Sequence, residues 1–211
     1  MTAETAKTPH RGDRQDAIVD VAHACFVAEG YGATSMSTIA ARLGGSKGTL
    51  YNYFRSKEEL FDAVVRRSCE RLHATLAAAP VTGSLRERLV ATAESLVDHI
   101  LSPEALAIHR MVIGEGERFP ELARLFYEAG PRRGIARAAE LLQSLMDQGL
   151  LRRADPMLAA HQFKDLALSG LHNMRLWNVI DDPTPAEKRA HAEIAVDTFL
   201  RAYAEADTPR A

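Results

Sequence analysis

The chain has 211 residues, of which 46% are hydrophobic and 26% charged, with a formal net charge of -2. That length can bury a core, as one medium domain or a small one fused to a larger one, and the composition excludes a disordered polymer. The near-neutral balance excludes a uniformly basic nucleic-acid coat, so a basic recognition surface has to be local.

One such stretch exists. Between Arg42 and Lys57 there are four basic residues and no acidic one. No apolar run reaches the roughly 18 residues that a membrane span needs. The first dozen residues, MTAETAKTPHRG, have no apolar core of the kind a secretory signal carries, so a cytoplasmic location is expected. Disordered ends are expected up to about Gly12 and from Asp207. Cys25 and Cys69 each lie in an apolar helical pattern and read as buried free thiols.

Residues 14–29 place Ile18, Val21, Ala22, Cys25 and Phe26 on one helical stripe, stopped by Gly30. Ser35 or Ser37 can cap a second helix with Met36, Ile39, Ala40 and Leu43 inside. Gly44 and Gly45 form a turn. Ser46 can cap a third helix, Lys47 to Phe54, with Leu50 and Phe54 turned inward. Two short helices around a glycine turn make a helix-turn-helix.

Ser56 opens a fourth helix, with Glu59 at the N3 position of a capping box and Leu60, Phe61, Val64 and Val65 starting its apolar face. It is expected to run to about Ala79, ahead of Pro80. Further helices are expected near 84–101, 103–115, 118–129, 132–148, 155–177 and 185–206, punctuated by Ser102-Pro103, Phe119-Pro120, Gly130-Pro131, Gly149, Asp155-Pro156 and Asp182-Pro183. No period-two alternation argues for a sheet. The expected fold is all-α, with about nine or ten helices. A three-helix unit over 13–57 precedes a larger helical domain over 58–206.

In a helix-turn-helix the second helix enters the major groove, where base edges are distinguishable. The third helix suits that task. Its outward residues are Lys47, Gly48, Thr49, Tyr51, Asn52 and Tyr53. Gly48 costs roughly 1 kcal/mol against alanine inside a helix, a cost that close approach to a phosphate or base would justify. Tyr51 and Tyr53 can donate hydroxyls to phosphates, and Asn52 can read a base.

Residues 14–61, through AHACFVAEGYGATSM and STIAARLGGSKGTLYNYFRSKEELF, resemble the DNA-binding domain of TetR-type transcriptional regulators. The resemblance implies Ser35 and Ser37 near phosphates, Lys47 to Tyr53 on the DNA face, and Lys57 clamping the backbone. It also implies a larger helical domain that dimerises and holds a small effector. The chain departs from the family at Gly45, where an apolar plug is usual. Residues 104–175 resemble the C-terminal domain of the AefR-like branch, through Glu115, FPELARLFYEAGP and GLLRRADPMLAAHQF.

A palindromic operator needs two recognition helices about 34–36 Å apart, hence a two-fold homodimer. Two broad apolar faces are candidates for its interface, the alternative being that they are wholly internal core. One carries Ile135, Ala138, Leu142, Leu145 and Met146. The other carries Ala160, Phe163, Ala167, Gly170, Leu171 and Met174, mixing small and large residues.

Family logic places the effector pocket in the larger domain. Candidate lining residues from its first part are Cys69, His73, Leu106, His109 and Met111; from its later part they are Phe119, Leu122, Phe126, Phe163 and Trp177. Their Met, Leu and Phe content favours a hydrophobic or aromatic small molecule. Each also fits an ordinary core position.

Catalysis has no support, since HExxH, GxSxG, GxGxxG and GxxxxGK[ST] are all absent. No cofactor is expected. Two other readings keep the same fold: a metal sensor using His109, Glu115, His161 and His172, whose spacing matches no recognised site, and a DNA binder without a ligand.

Overall fold

The computed structural model describes residues 11–78 and 83–205, with side chains for 12–70 and 83–205. The His73 side chain, residues 1–10 and residues 206–211 lie outside these, while Arg11 and Gly12, at the edge of the head expected to be disordered, are helical. The helices are α1 (Arg11–Glu29), α2 (Met36–Arg42), α3 (Lys47–Tyr51), α4 (Lys57–Ala78), α5 (Leu85–Ile100) and α6 (Pro103–Glu115). They continue with α7 (Pro120–Ala129), α8 (Pro131–Asp147), α9 (Pro156–Leu168), α10 (Leu171–Leu176) and α11 (Pro185–Tyr203). The fold is all-α. Among the described residues the β-type pairing is one isolated antiparallel bridge, Leu151 with Ala204.

The caps follow side-chain chemistry. Ser35 and Ser46 accept from the amides of Thr38 and Thr49, three residues on. Ser84 with Glu87, and Thr184 with Glu187, form full capping boxes. Two local expectations change. Ser56 accepts from the Glu59 amide at 3.1 Å, but the Glu59 carboxylate reaches one residue further back, to the Arg55 amide at 2.6 Å. The segment 155–177 is two helices. Gly170, at φ 75, takes a left-handed conformation that disfavours any Cβ, and ends α9 after Ser169 although the apolar pattern runs on.

The chain divides into two compact units. One joins Met1–Arg67 to Met111–Phe126; the other joins Ser68–Arg110 to Tyr127–Ala211. In the first, Phe26, Tyr31 and Phe61 form an aromatic cluster with ring centroids 5.5–5.7 Å apart. Ile18, Ile39, Leu50, Phe54 and Leu60 are buried with it. In the second, α5, α8, α9 and α11 share one core. Ala159, Ala160, Ala167 and Ala192 are fully buried there, which lets backbones approach; Phe163 meets Phe199 edge to face, and Phe199 stacks on Tyr203.

Candidate functional site

The helix-turn-helix is built as a buried floor under an exposed face. Leu50 and Phe54 are buried, whereas Lys47, Gly48, Tyr51 and Asn52 are exposed and Thr49 and Tyr53 half-buried. The helix proper is short. It ends at Tyr51, and Asn52 is its C-cap, with its amide turned to the carbonyls of Gly48 and Thr49. The Asn52 side chain is thereby presented from a helix end. The Thr49 hydroxyl lies 3.0 Å from Ser46 Oγ, so part of its hydrogen-bonding capacity serves the cap. The Lys47 ammonium stands 5.8 Å from the Tyr51 ring centroid. Ser35 and Ser37 are exposed at the start of α2.

The plug missing at Gly45 is partly replaced by Arg14 of α1. A Cβ at Gly45 would meet the guanidinium at 3.5 Å, an ordinary contact. Beneath the turn a crevice of about 10 Å³ remains, lined by Ile18, Ala40, Leu43 and Leu50 among others. It is about the size of one water.

Lys57 is placed differently from a free backbone clamp. Its Nζ donates to the Tyr31 carbonyl at 2.7 Å and sits 4.1 Å from the Tyr31 ring centroid. Tyr31 is the hub of this unit. Its amide and that of Gly32 each donate to one oxygen of Glu115, both at 2.7 Å. Its hydroxyl donates to Glu58 at 3.1 Å. Phe119 closes over it at 5.6 Å. Burial, then the Glu58 carboxylate, pushes the phenol pKa upward. Burial also pushes Glu58 upward, but the hydrogen bonds from its own amide and the hydroxyls of Ser56 and Tyr31 outweigh it and leave the carboxyl below its usual range.

The two glycines beside Tyr31 make this approach possible. A Cβ on Gly30 would stand 2.6 Å from Glu115 Oε1, and one on Gly32 would stand 2.8 Å from the Phe119 ring. The Gly-Tyr-Gly signature was the available sequence signal for close approach. Its partner, 83 to 84 positions away, was not.

Residues 18–64 match the family described as bacterial regulatory proteins, tetR family. Residues 87–205, more than half of the chain, match the AefR-like transcriptional repressor C-terminal domain. The chain belongs to the TetR family of transcriptional regulators. A TetR-family regulator from Mesorhizobium loti is 31% identical with a TM-score of 0.80, covering 93% of this chain and all of that one. The flavonoid-responsive regulator FrrA is 35% identical with a TM-score of 0.78, covering 95% of this chain and all of its own. The transcriptional activator FasR of Mycolicibacterium smegmatis is 38% identical over 91 residues, 43% of this chain and 42% of FasR. The chain thus spans less than half the length of the first curated relatives it matches. As a TetR-family member it is a DNA-binding regulator.

The expected effector residues of this TetR-family chain fall in both units. Met111, Phe119, Leu122 and Phe126 belong to the first; Cys69, Leu106, His109, Phe163 and Trp177 belong to the second. Leu106, Met111 and Leu122 are buried, Phe119 and Phe126 half-buried. Phe163 is spent in the α8–α9–α11 core. Trp177 is 68% exposed at the end of α10. Cys69 is half-buried, and burial followed by Glu70 pushes its thiol upward, against Arg133 and Arg137.

His109 meets His172 edge to face at 5.1 Å. Burial, then His172, His99 and Lys164, lowers its pKa to about 4. Next to it, Arg110 grips the end of α10. It donates to the carbonyls of Leu176 and Arg175 at 2.9 and 2.6 Å, and to Asn178 Oδ1 at 2.7 Å. A cation there complements the helix C-terminus. Arg110 was not singled out from the sequence, where it is one arginine among many.

The metal reading has no donor set. Among the described residues no three His, Cys, Asp or Glu side chains could share an ion, His161 is exposed, and Glu115 is committed to Tyr31 and Gly32.

The expected dimer residues are mostly covered within their own chain. Ile135, Leu142, Leu145, Met146, Ala160, Phe163 and Ala167 are buried in their own chain, with Ala138 packed against them. Covered by intrachain contacts, they leave little surface for a second copy. Gly170 is exposed and Leu171 and Met174 half-buried. The large apolar side chains left open on α9 to α11 and the loop between are Met157, Leu158, Trp177, Val179 and Ile194.

Proposed function

We propose that this TetR-family protein is a repressor of the AefR-like branch, which binds a palindromic operator as a homodimer and is released by a hydrophobic or aromatic small molecule. The exposed polar face of α3 over a buried Leu50 and Phe54 carries the reading. Lys47 and the Tyr51 hydroxyl contact phosphates; Asn52, presented from the helix end, and Gly48, without a side chain, meet base edges. Thr49 and Tyr53 flank them, and Ser35 and Ser37 meet the backbone from α2.

The second copy docks on the exposed apolar residues of α9 to α11, including Leu158, Trp177 and Ile194. No helix among the described residues is long and apolar enough to cross a membrane. A cytoplasmic location is part of this reading, because the proposed operator partner is DNA. The flavonoid-responsive relative supports an aromatic effector. Repression needs only that a dimer occupy a promoter. Activation is the second reading, favoured by the activator FasR among the relatives.

Affinity selection of fragmented genomic DNA by the purified protein, followed by footprinting, tests the proposal. Recovery of a short inverted repeat near a promoter supports it. Failure to enrich any sequence over several salt concentrations overturns it.

A further inference from the structure

The cations of the first unit divide by what holds them. Arg42 donates to Glu29 at 2.5 Å and to Cys25 Sγ at 3.4 Å. Arg66 is paired with Asp62, and Arg67 with Asp20. Lys57 is spent on the Tyr31 carbonyl. Arg14, in the first turn of α1, has neither an ion pair nor a hydrogen bond among the described residues.

Its guanidinium is nevertheless seated. A Cβ built on Gly45 would stand 3.5 Å from Arg14 Nη2. Arg14 also lines the crevice of about 10 Å³ under the turn, together with Gly45, Ser46 and Thr49. The half-buried side chain therefore lies against the turn between α2 and α3, beside the start of the exposed face that Lys47 opens. It occupies that place because position 45 has no side chain.

A plug alone needs no charge. An aliphatic side chain from α1 would cover the turn without desolvating a cation. A guanidinium without an acid keeps its planar donor fork for an acceptor from outside, and that fork matches a phosphate. In a helix-turn-helix the start of the second helix lies in the major groove while the first crosses the backbone, so docking brings phosphates to the turn between them.

We propose that Arg14 is a phosphate contact of the operator complex, seated by the missing side chain at Gly45. The inference rests on the DNA-recognition reading above and adds to it a residue from outside the helix-turn-helix. Arg14 fixes the position of the duplex and contributes affinity without choosing bases. Gly45 acts through Arg14. Alanine there leaves the guanidinium in place, whereas a branched side chain reaches past the Cβ position and displaces it.

The test uses the full-length protein and two fluorescent duplexes of equal length, an inverted repeat recovered by the genomic selection and an unrelated sequence. Anisotropy over about 50–200 mM salt gives affinity and its salt slope. Arg14→Gln, which keeps a stem on the turn, is expected to weaken binding to both duplexes about tenfold per bound chain, the equivalent of one charge-assisted hydrogen bond. The slope of log affinity against log salt falls by about 1 per bound chain, and Arg14→Lys retains most of it. Gly45→Val reproduces the loss, and the double variant loses no more than either single one. Selection repeated with Arg14→Gln returns the same sequences. Circular dichroism checks each fold; if Gly45→Val does not fold, Arg14→Gln and Arg14→Lys decide alone. An unchanged slope in Arg14→Gln, additive losses in the double variant, or a changed set of selected sequences overturns the proposal. If the unaltered protein selects no sequence, the operator reading fails, and the slope on the unrelated duplex still decides Arg14. Absence of binding to either duplex at the lowest salt overturns both.

Discussion

Glu115 divides its carboxylate between two consecutive amides, with Oε1 on Tyr31 and Oε2 on Gly32, each at 2.7 Å. The last residue of α6 thus caps the turn between α1 and α2. Glu115→Ala should destabilise the protein by about 1–3 kcal/mol, as a partly buried pair of charge-assisted bonds is lost. Glu115→Gln should fall between, since one amide oxygen replaces two carboxylate oxygens. Urea denaturation of the three proteins checks the order.

Gly30 and Gly45 should respond to alanine in opposite directions. Gly30 has φ 84, and its added Cβ would stand 2.6 Å from Glu115 Oε1. Gly45 has no positive φ, and its Cβ would meet Arg14 at 3.5 Å. Gly45→Ala is expected to stabilise by about 0.4–1 kcal/mol, by narrowing the unfolded ensemble, while Gly30→Ala destabilises by more than that. Melting temperatures measured side by side would expose an error in either sign.

Lys47→Ala should weaken operator binding across all sequences and reduce the slope of log affinity against log salt by about 1. Asn52→Ala should instead change which sequences are selected, because a base contact discriminates and a phosphate contact does not. Fluorescence anisotropy at graded salt, with selection repeated on the Asn52 variant, separates the two roles.

Leu158→Arg with Ile194→Arg should give a folded monomer with poor operator affinity. Both side chains are more than half exposed, so a charge there disturbs no core. Sedimentation velocity reads the oligomeric state and circular dichroism the fold. A variant that stays dimeric would move the interface elsewhere.

Acid should weaken the second unit through His109. Its folded pKa is about 4 against an ordinary 6.5, because burial and its basic neighbours oppose the charged form. Between those values the unfolded chain binds more protons, so stability falls as pH falls through that window, by at most roughly 3 kcal/mol. His172 is lowered in the same direction, first by burial and then by Lys164. His109→Phe should flatten the dependence between pH 6.5 and 4, measured as unfolding free energy at several pH values.

The helix-turn-helix was legible because its information is local: caps, a glycine turn and inward residues lie within one or two helical turns of each other. The grip of Glu115 on the Tyr31 turn was not, since it joins positions 84 apart and only the paired glycines mark one side of it. The dimer faces are harder to read for a related reason. Apolar periodicity identifies a face that is covered, but not whether the cover is the same chain. Ala160 and Ala167 looked suited to close approach by a partner, and close approach is what they provide, within the α8–α9–α11 core. The break at Gly170 was hidden because the apolar stripe continues across it.

The pairing of Leu151 with Ala204 has a topological consequence. Arg152 donates its amide to the Tyr203 carbonyl and its Nε to the Ala202 carbonyl, and lies over the Tyr203 ring. Carbonyls that a helix normally leaves open at its end are occupied from fifty positions upstream. The intervening chain is laced shut without a covalent bond, so its closure entropy is lost only once, when the whole loop orders. The last turn of α11 should consequently exchange its amide hydrogens with the core of the second unit, rather than at the fast rate of a fraying terminus.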